Sequence, residues 1–239
     1  MSNQDGTGNL PLSSHFLNGR SIRWLAAGVG ALVLLNLINH AVGAPFWTIT
    51  RNIDLGSDTN AAAWYSSMLL FVGAILAMDC REVARARRLP DHRELLLLAG
   101  LLALMSCDEL ARFHENLGAL VAQRAGIADA GFARHAKWVW VLGPLVIAAF
   151  AFVALRVRRT LLRVPGTFRL FVYGILSIVV GGVFLESTIN FLNHETLQMV
   201  WNLEIVAEEA LEMAGSLFIA AALVRWRDSM ATGSAPEPT

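Results

Sequence analysis

Three stretches of this chain place acids and histidines inside otherwise apolar runs, and these are the residues that could do chemistry. They are Ser106-Cys107-Asp108-Glu109-Leu110-Ala111-Arg112-Phe113-His114-Glu115, then Glu186 and Asn190 followed by His194-Glu195, and finally Glu204, Glu208, Glu209 and Glu212. Asn36, Asn39 and His40 form a smaller polar group near the start. An ionisable side chain in a membrane span costs about 2.5–3.5 kcal/mol on insertion scales, so each one is a functional hypothesis by default.

Charge arithmetic narrows the chemistry. Asp108, Glu109, Glu115, Glu186, Glu204, Glu208, Glu209 and Glu212 face a single intramembrane cation, Arg112. Ionised carboxylates cannot crowd into a low-dielectric space around one guanidinium, because mutual repulsion and desolvation both oppose ionisation. Bound metal ions, retained protons or water entering from one face must neutralise them. Carboxylates with a few histidines suit Fe, Mn or Zn, and helical bundles can host two-metal carboxylate centres.

The expected ligands are Glu109, His114, Glu115, Glu186, Glu208 and Glu212, supported by Asp108, Arg112, His40, His194, Glu204 and Glu209. An enzymatic use of such a centre, oxidative or hydrolytic, stays open. Two other readings also stay open: the same acids could serve a cation or proton transporter, or they could hold a bundle or a membrane complex together as a structural subunit. The chain contains no Glu-x-x-His and no HExxH, which removes the ferritin-like and zincin patterns. It also lacks a Walker loop, a GxGxxG and a basic-aromatic patch, so neither a nucleotide cofactor nor nucleic acid is expected.

Two of these segments carry a resemblance. Asp108-Glu109 with His114-Glu115, and Glu208-Glu209-Ala-Leu-Glu212-Met-Ala-Gly215, are similar to a DExxxxHE helix and an EExxEMxG helix in a group of uncharacterised bacterial multi-pass membrane proteins. The resemblance covers two helices and implies a bacterial inner-membrane location without implying an activity. Alkaline-ceramidase-like membrane hydrolases are set aside, because the paired HxxxH that their zinc requires is missing.

The elements that must position these residues follow from hydropathy. The 239 residues are 55% hydrophobic and 16% charged, with a mean hydropathy of +0.51. The apolar residues fall in blocks of roughly 20, the length that crosses a hydrocarbon core. Stretches near 22–42, 61–79, 95–116, 137–156, 168–191 and 203–225 predict an all-α, polytopic bundle of six transmembrane helices. Residues 21–227 form one domain on this reading, with disordered cytoplasmic ends at 1–20 and 228–239.

Cytoplasmic loops are enriched in Lys and Arg. Arg20 and Arg23, then Arg81 to Arg93, Arg156 to Arg169, and Arg225 and Arg227 all fall on one side, whereas Arg51, Arg124, Arg134 and Lys137 fall on the other. Both termini are therefore expected to be cytoplasmic. At about 1.5 Å per residue, Asp108 and Glu186 lie roughly 21 and 25 Å from the cytoplasmic start of their helices, in the outer half. Glu204 to Glu212 and His40 fall in that same layer. Along a continuous third helix Asp108, Arg112 and Glu115 share one stripe, and His114 points away from it. All seven tryptophans lie near span ends, as an interfacial aromatic belt requires. Membrane lipids are the expected surroundings; a homo-oligomer or another subunit of a membrane complex remains open.

Overall fold

A computed structural model describes residues 16–57, 59–127, 136–188, 191 and 197–232. Among the described residues every regular element is helical. Helix α1 (Gly19–Ala41) opens on Asn18, whose side-chain oxygen accepts from the backbone N–H groups of Arg20 and Ser21 at 2.9 and 3.2 Å. A short α2 (Trp47–Ile53) follows, and α3 (Ala61–Ala86) opens on Asn60 in the same way, accepting from Ala62 and Ala63. Such caps satisfy N–H groups that the first turn of a helix leaves unpaired. A tight turn at Pro90–Arg93 leads into α4 (Glu94–Ala111), α5 (Phe113–Arg124) and α6 (Lys137–Leu161). The chain ends its described part with α7 (Thr167–Thr188), which contains a π-helical segment at Val180–Leu185, and the long α8 (Gln198–Ala231).

Four of these helices, α1, α3, α6 and α7, are long and apolar enough to cross a membrane. Their outward faces match that role: only 17% of the apolar window of α1 is buried, and Leu34, Leu35 and Ile38 stand on its surface. Exposing such area to water costs about 25 cal/mol per Å², so the environment of these faces is lipid. The chain is a membrane protein.

Helix α8 organises the interior. It packs against α1, α3 and α7, while α3 also pairs with α4, and α5 lies on α6. Helices α7 and α8 approach through two glycines. A Cβ on Gly174 would lie 2.7 Å from the carbonyl oxygen of Gly215, and one on Gly215 would lie 2.6 Å from that of Gly174. Small residues at helix crossings let backbones meet closely where lipid supplies no hydrophobic drive for association.

The arginine-rich end is tied down by charge. Arg156 donates twice to Glu94, at 2.8 and 2.6 Å, joining α6 to α4. Arg163 reaches Asp91 at 3.2 Å. Arg227, expected in the loop after the last span, is instead fully buried within α8. There it meets Asp79 at 3.3 Å, Asp228 at 2.9 Å and the backbone oxygen of Leu17 at 2.6 Å. These contacts, with Trp226 and Met230 buried beside it, carry α8 on to Ala231, past the expected domain end at 227.

Two further sequence expectations are corrected. The stretch 95–116 is not one helix, because the chain breaks at Arg112. Two of the seven tryptophans turn inward to satisfy their indole N–H groups: Trp226 donates to the backbone oxygen of Thr160 at 2.7 Å, and Trp138 to a carboxylate described below. Trp24, Trp47, Trp64 and Trp140 are exposed, as a belt requires.

Replacing Gly174 with Ala should lower stability by about 1–3 kcal/mol, the range for overpacking a close contact. Thermal unfolding of the purified protein in detergent measures it, and an unchanged midpoint would refute the tight α7–α8 approach.

Candidate functional site

The local event that builds the site is the break between α4 and α5. Arg112 adopts a left-handed backbone, φ 54° and ψ 39°, which costs a non-glycine residue about 1–2 kcal/mol. Nearby side chains offset that cost. One carboxylate oxygen of Asp108 accepts from the backbone N–H of His114 at 2.9 Å, so an acid at the end of α4 caps the start of α5. Its other oxygen lies 2.5 Å from Nδ1 of the His114 ring. The Arg112 guanidinium holds Glu115, with Nε donating at 3.1 Å, and Asn116 donates to the Arg112 carbonyl at 2.8 Å.

The continuous stripe of Asp108, Arg112 and Glu115 is thereby replaced by two pairs. His114, expected to point away, is the partner of Asp108, and Arg112 serves Glu115 alone of the two acids. A carboxylate that accepts from Nδ1–H fixes the tautomer of the ring and leaves Nε2 as its lone-pair nitrogen. That is the form in which imidazole takes up a metal ion or a proton.

Helix α5 brings this pair onto α6. Gly118 faces Trp138 so closely that any side chain there would overlap it. The His114 and Trp138 rings meet edge to face, 4.4 Å between centroids at 69°. Trp138 in turn donates its indole N–H to Glu186 at 2.6 Å. A chain of direct contacts therefore runs Asp108, His114, Trp138, Glu186, across four helices.

On the opposite side, the π-helical turn of α7 makes room for α8. A Cβ on Gly182 would lie 2.5 Å from the Glu212 carboxylate, and one on Gly181 would lie 2.8 Å from the Glu208 carbonyl oxygen. π-Turns of this kind cluster at functional sites. Here the turn sets the two glycines beside Glu212.

These elements line a cavity of about 150 Å³. Asp108, Glu109, Glu115, Glu186, Glu208, Glu209 and Glu212 line it together with His114, Arg112 and Trp138. Its remaining wall is apolar: Met105, Val146, Phe150, Ile178, Val179 and Val183. All six expected ligands thus border one cavity, as do Asp108, Arg112 and Glu209. Two of the expected supporting residues, Glu204 and His40, do not. Glu204 is buried outside the lining, accepting from the Thr188 hydroxyl at 3.4 Å. His40 lies on a second cavity, and His194 lies outside the described residues, as do Asn190 and Glu195.

The donor types fit a hard or borderline cation. Their spacing does not present a closed shell, for among the described residues no three His, Cys, Asp or Glu side chains form a group that could hold a metal ion. The acids ring a chamber and leave its centre open.

Sequence reasoning missed Trp138 and the Gly181-Gly182 pair. A paired glycine inside an apolar span was the available signal for the second; an indole at a helix start carries none that separates it from the belt.

A family model described as Domain of unknown function (DUF8692) matches residues 24–226, and the chain belongs to that family. No curated protein and no solved structure matches the chain.

Replacing Asp108 with Ala removes both the cap of α5 and the partner of the imidazole, and should cost about 1–2 kcal/mol. Reversible unfolding in mixed micelles checks this; wild-type stability would show that the break at Arg112 is held by other contacts.

Proposed function

We propose that this member of the DUF8692 family is a six-span membrane protein with both termini cytoplasmic, whose outer half contains a cation-binding chamber of carboxylates and one histidine. The observation that carries the reading is the convergence of seven acids and His114 from α4, α5, α7 and α8 on one cavity that contains a single arginine. The two further spans are α4 and α8. Their polar ends, Asp108 with Glu109 and Glu208 with Glu209 and Glu212, are the groups that the chamber collects.

A metal ion such as Fe, Mn or Zn would take its protein ligands from among Glu109, His114, Glu115, Glu186, Glu208 and Glu212, no three of which stand close enough together to form a ready-made shell, with Asp108 orienting His114. When bound, it would supply positive charge to the acids and Lewis acidity to whatever shares the chamber. The residues themselves perform three tasks. Asp108 directs the lone pair of His114, Trp138 holds Glu186 through its indole N–H, and the apolar wall limits the water that reaches the acids. Because the shell is open, water molecules complete the coordination on this reading.

A conduit across the whole membrane is a weaker reading. On the arginine-rich side of the chamber the interior is filled by Leu98, Leu102, Phe171, Ile219 and Leu223, each at most 1% exposed. A chamber open on one side and closed on the other acts as a site. The structural-subunit reading parts from both on one point: it requires Gln in place of Glu208 and Glu212 to weaken the assembly without altering any cation uptake.

Two measurements test the proposal. Elemental analysis of protein reconstituted with Mn, Fe or Zn should find close to one or two equivalents, falling severalfold in Glu186→Gln and Glu212→Gln; less than a tenth of an equivalent in the wild type would sink it. A fluorescent protein fused to either end should fold in the cytoplasm, and a periplasmic location for either end would overturn the topology.

A further inference from the structure

A second cavity, of about 210 Å³, lies away from the acidic chamber, between the end of α1, the segment after α2 and the start of α8. Asn36, His40, Asp54, Leu55, Trp201 and Asn202 are among its lining residues. One of these lining residues carries an unpaired group. Asn36 is 1% exposed and donates from Nδ2 to the Ile53 carbonyl at 3.1 Å, while its Oδ1 is buried with no hydrogen-bond partner among the described residues. A buried acceptor of this kind costs free energy unless something donates to it.

The surroundings specify the donor. Asp54 supplies one negative charge, and one of its oxygens already accepts from the Gly56 N–H at 3.1 Å, which fixes the carboxylate in place. The cavity lies by the C-terminal end of α1, where the helix dipole is negative. Trp201 offers an indole ring, the best aromatic partner for a cation. One carboxylate matches one positive charge. The volume and the aromatic wall suit an organic group better than a bare metal ion. An ammonium group carries three N–H donors and no acceptor, which matches the open acceptor of Asn36 and the carboxylate of Asp54.

We infer that this cavity is a binding site for a protonated amine, held by charge-assisted hydrogen bonds to Asp54 and Asn36 with Trp201 beside it. The inference is independent of any cation in the acidic chamber. The amine can come from a free small molecule or from the ethanolamine headgroup of a lipid, since the site lies at a helix end where headgroups reside on the proposed topology.

The test is calorimetric titration of ethanolamine into the full chain in nanodiscs of phosphatidylglycerol alone, with glycerol as the neutral control. The expected result is a saturable one-site isotherm for ethanolamine and none for glycerol. Binding should weaken at least tenfold in Asn36→Leu and in Asp54→Asn. The second variant retains the acceptor for Gly56 and so decides the matter if the first fails to fold. Repeating the titration in discs containing phosphatidylethanolamine separates the sources: an abolished isotherm identifies the lipid headgroup, and an undiminished one identifies the free amine. No saturable binding in phosphatidylglycerol discs, equal binding of glycerol, or wild-type binding by Asp54→Asn would overturn the inference.

Discussion

The left-handed backbone at Arg112 is the constraint on which the rest of the site depends. A straight α4 extended to residue 116 would carry His114 and Asp108 on different faces, about 600° apart along the helix, or two-thirds of a turn after whole turns are removed. The break instead folds the chain back so that one carboxylate both caps α5 and grips the imidazole. A single acid thus fixes the entry angle of a helix and the orientation of a ring. Everything beyond it, from the edge contact with Trp138 to the hydrogen bond on Glu186, is reached from that pivot.

The same economy appears on the α7–α8 side, where glycine does the work that a polar residue does at Arg112. Gly174 and Gly215 bring two helices together at one level, and Gly181 with Gly182 leave space beside Glu212 at the next. Close approach at the first pair fixes the register at which the acids of α8 face α4 and α5. The arginine-rich side is held by a different device: buried Arg227, paired with Asp79, and the Arg156–Glu94 and Arg163–Asp91 pairs join the helix ends there. At the other end of the bundle carboxylates greatly outnumber the single arginine of the chamber.

Much of this was legible in the residues and some was not. The helical class, the four apolar spans and the grouping of Glu109, His114, Glu115, Glu186, Glu208 and Glu212 follow from hydropathy and from counting along each helix at a fixed rise, because both depend only on local composition. The break at Arg112 could not be read, since nothing in Ala-Arg-Phe-His marks a left-handed residue; neither Gly nor Pro is there, and the stabilising contact joins Asp108 to His114 across it, six positions apart. His40 was assigned to the acidic layer from depth alone. Depth gives a level in the membrane but no position around the bundle, and the structure sets His40 on a separate cavity. Trp226 and Arg227 were read as interfacial and loop residues for the same reason: sequence shows where a span ends, not whether that end is covered by a neighbour.

On the proposed function, the break at Arg112 turns Nε2 of His114 toward a cation shared with the acids of α7 and α8. Pulsed electron paramagnetic resonance of Mn²⁺ added to the reconstituted protein tests it most directly. Modulation from one directly coordinated nitrogen is the predicted result, absent in His114→Gln while Mn²⁺ remains bound through the carboxylates. Bound Mn²⁺ with no coordinated nitrogen in the wild type, or an unchanged nitrogen signal in His114→Gln, would contradict the account.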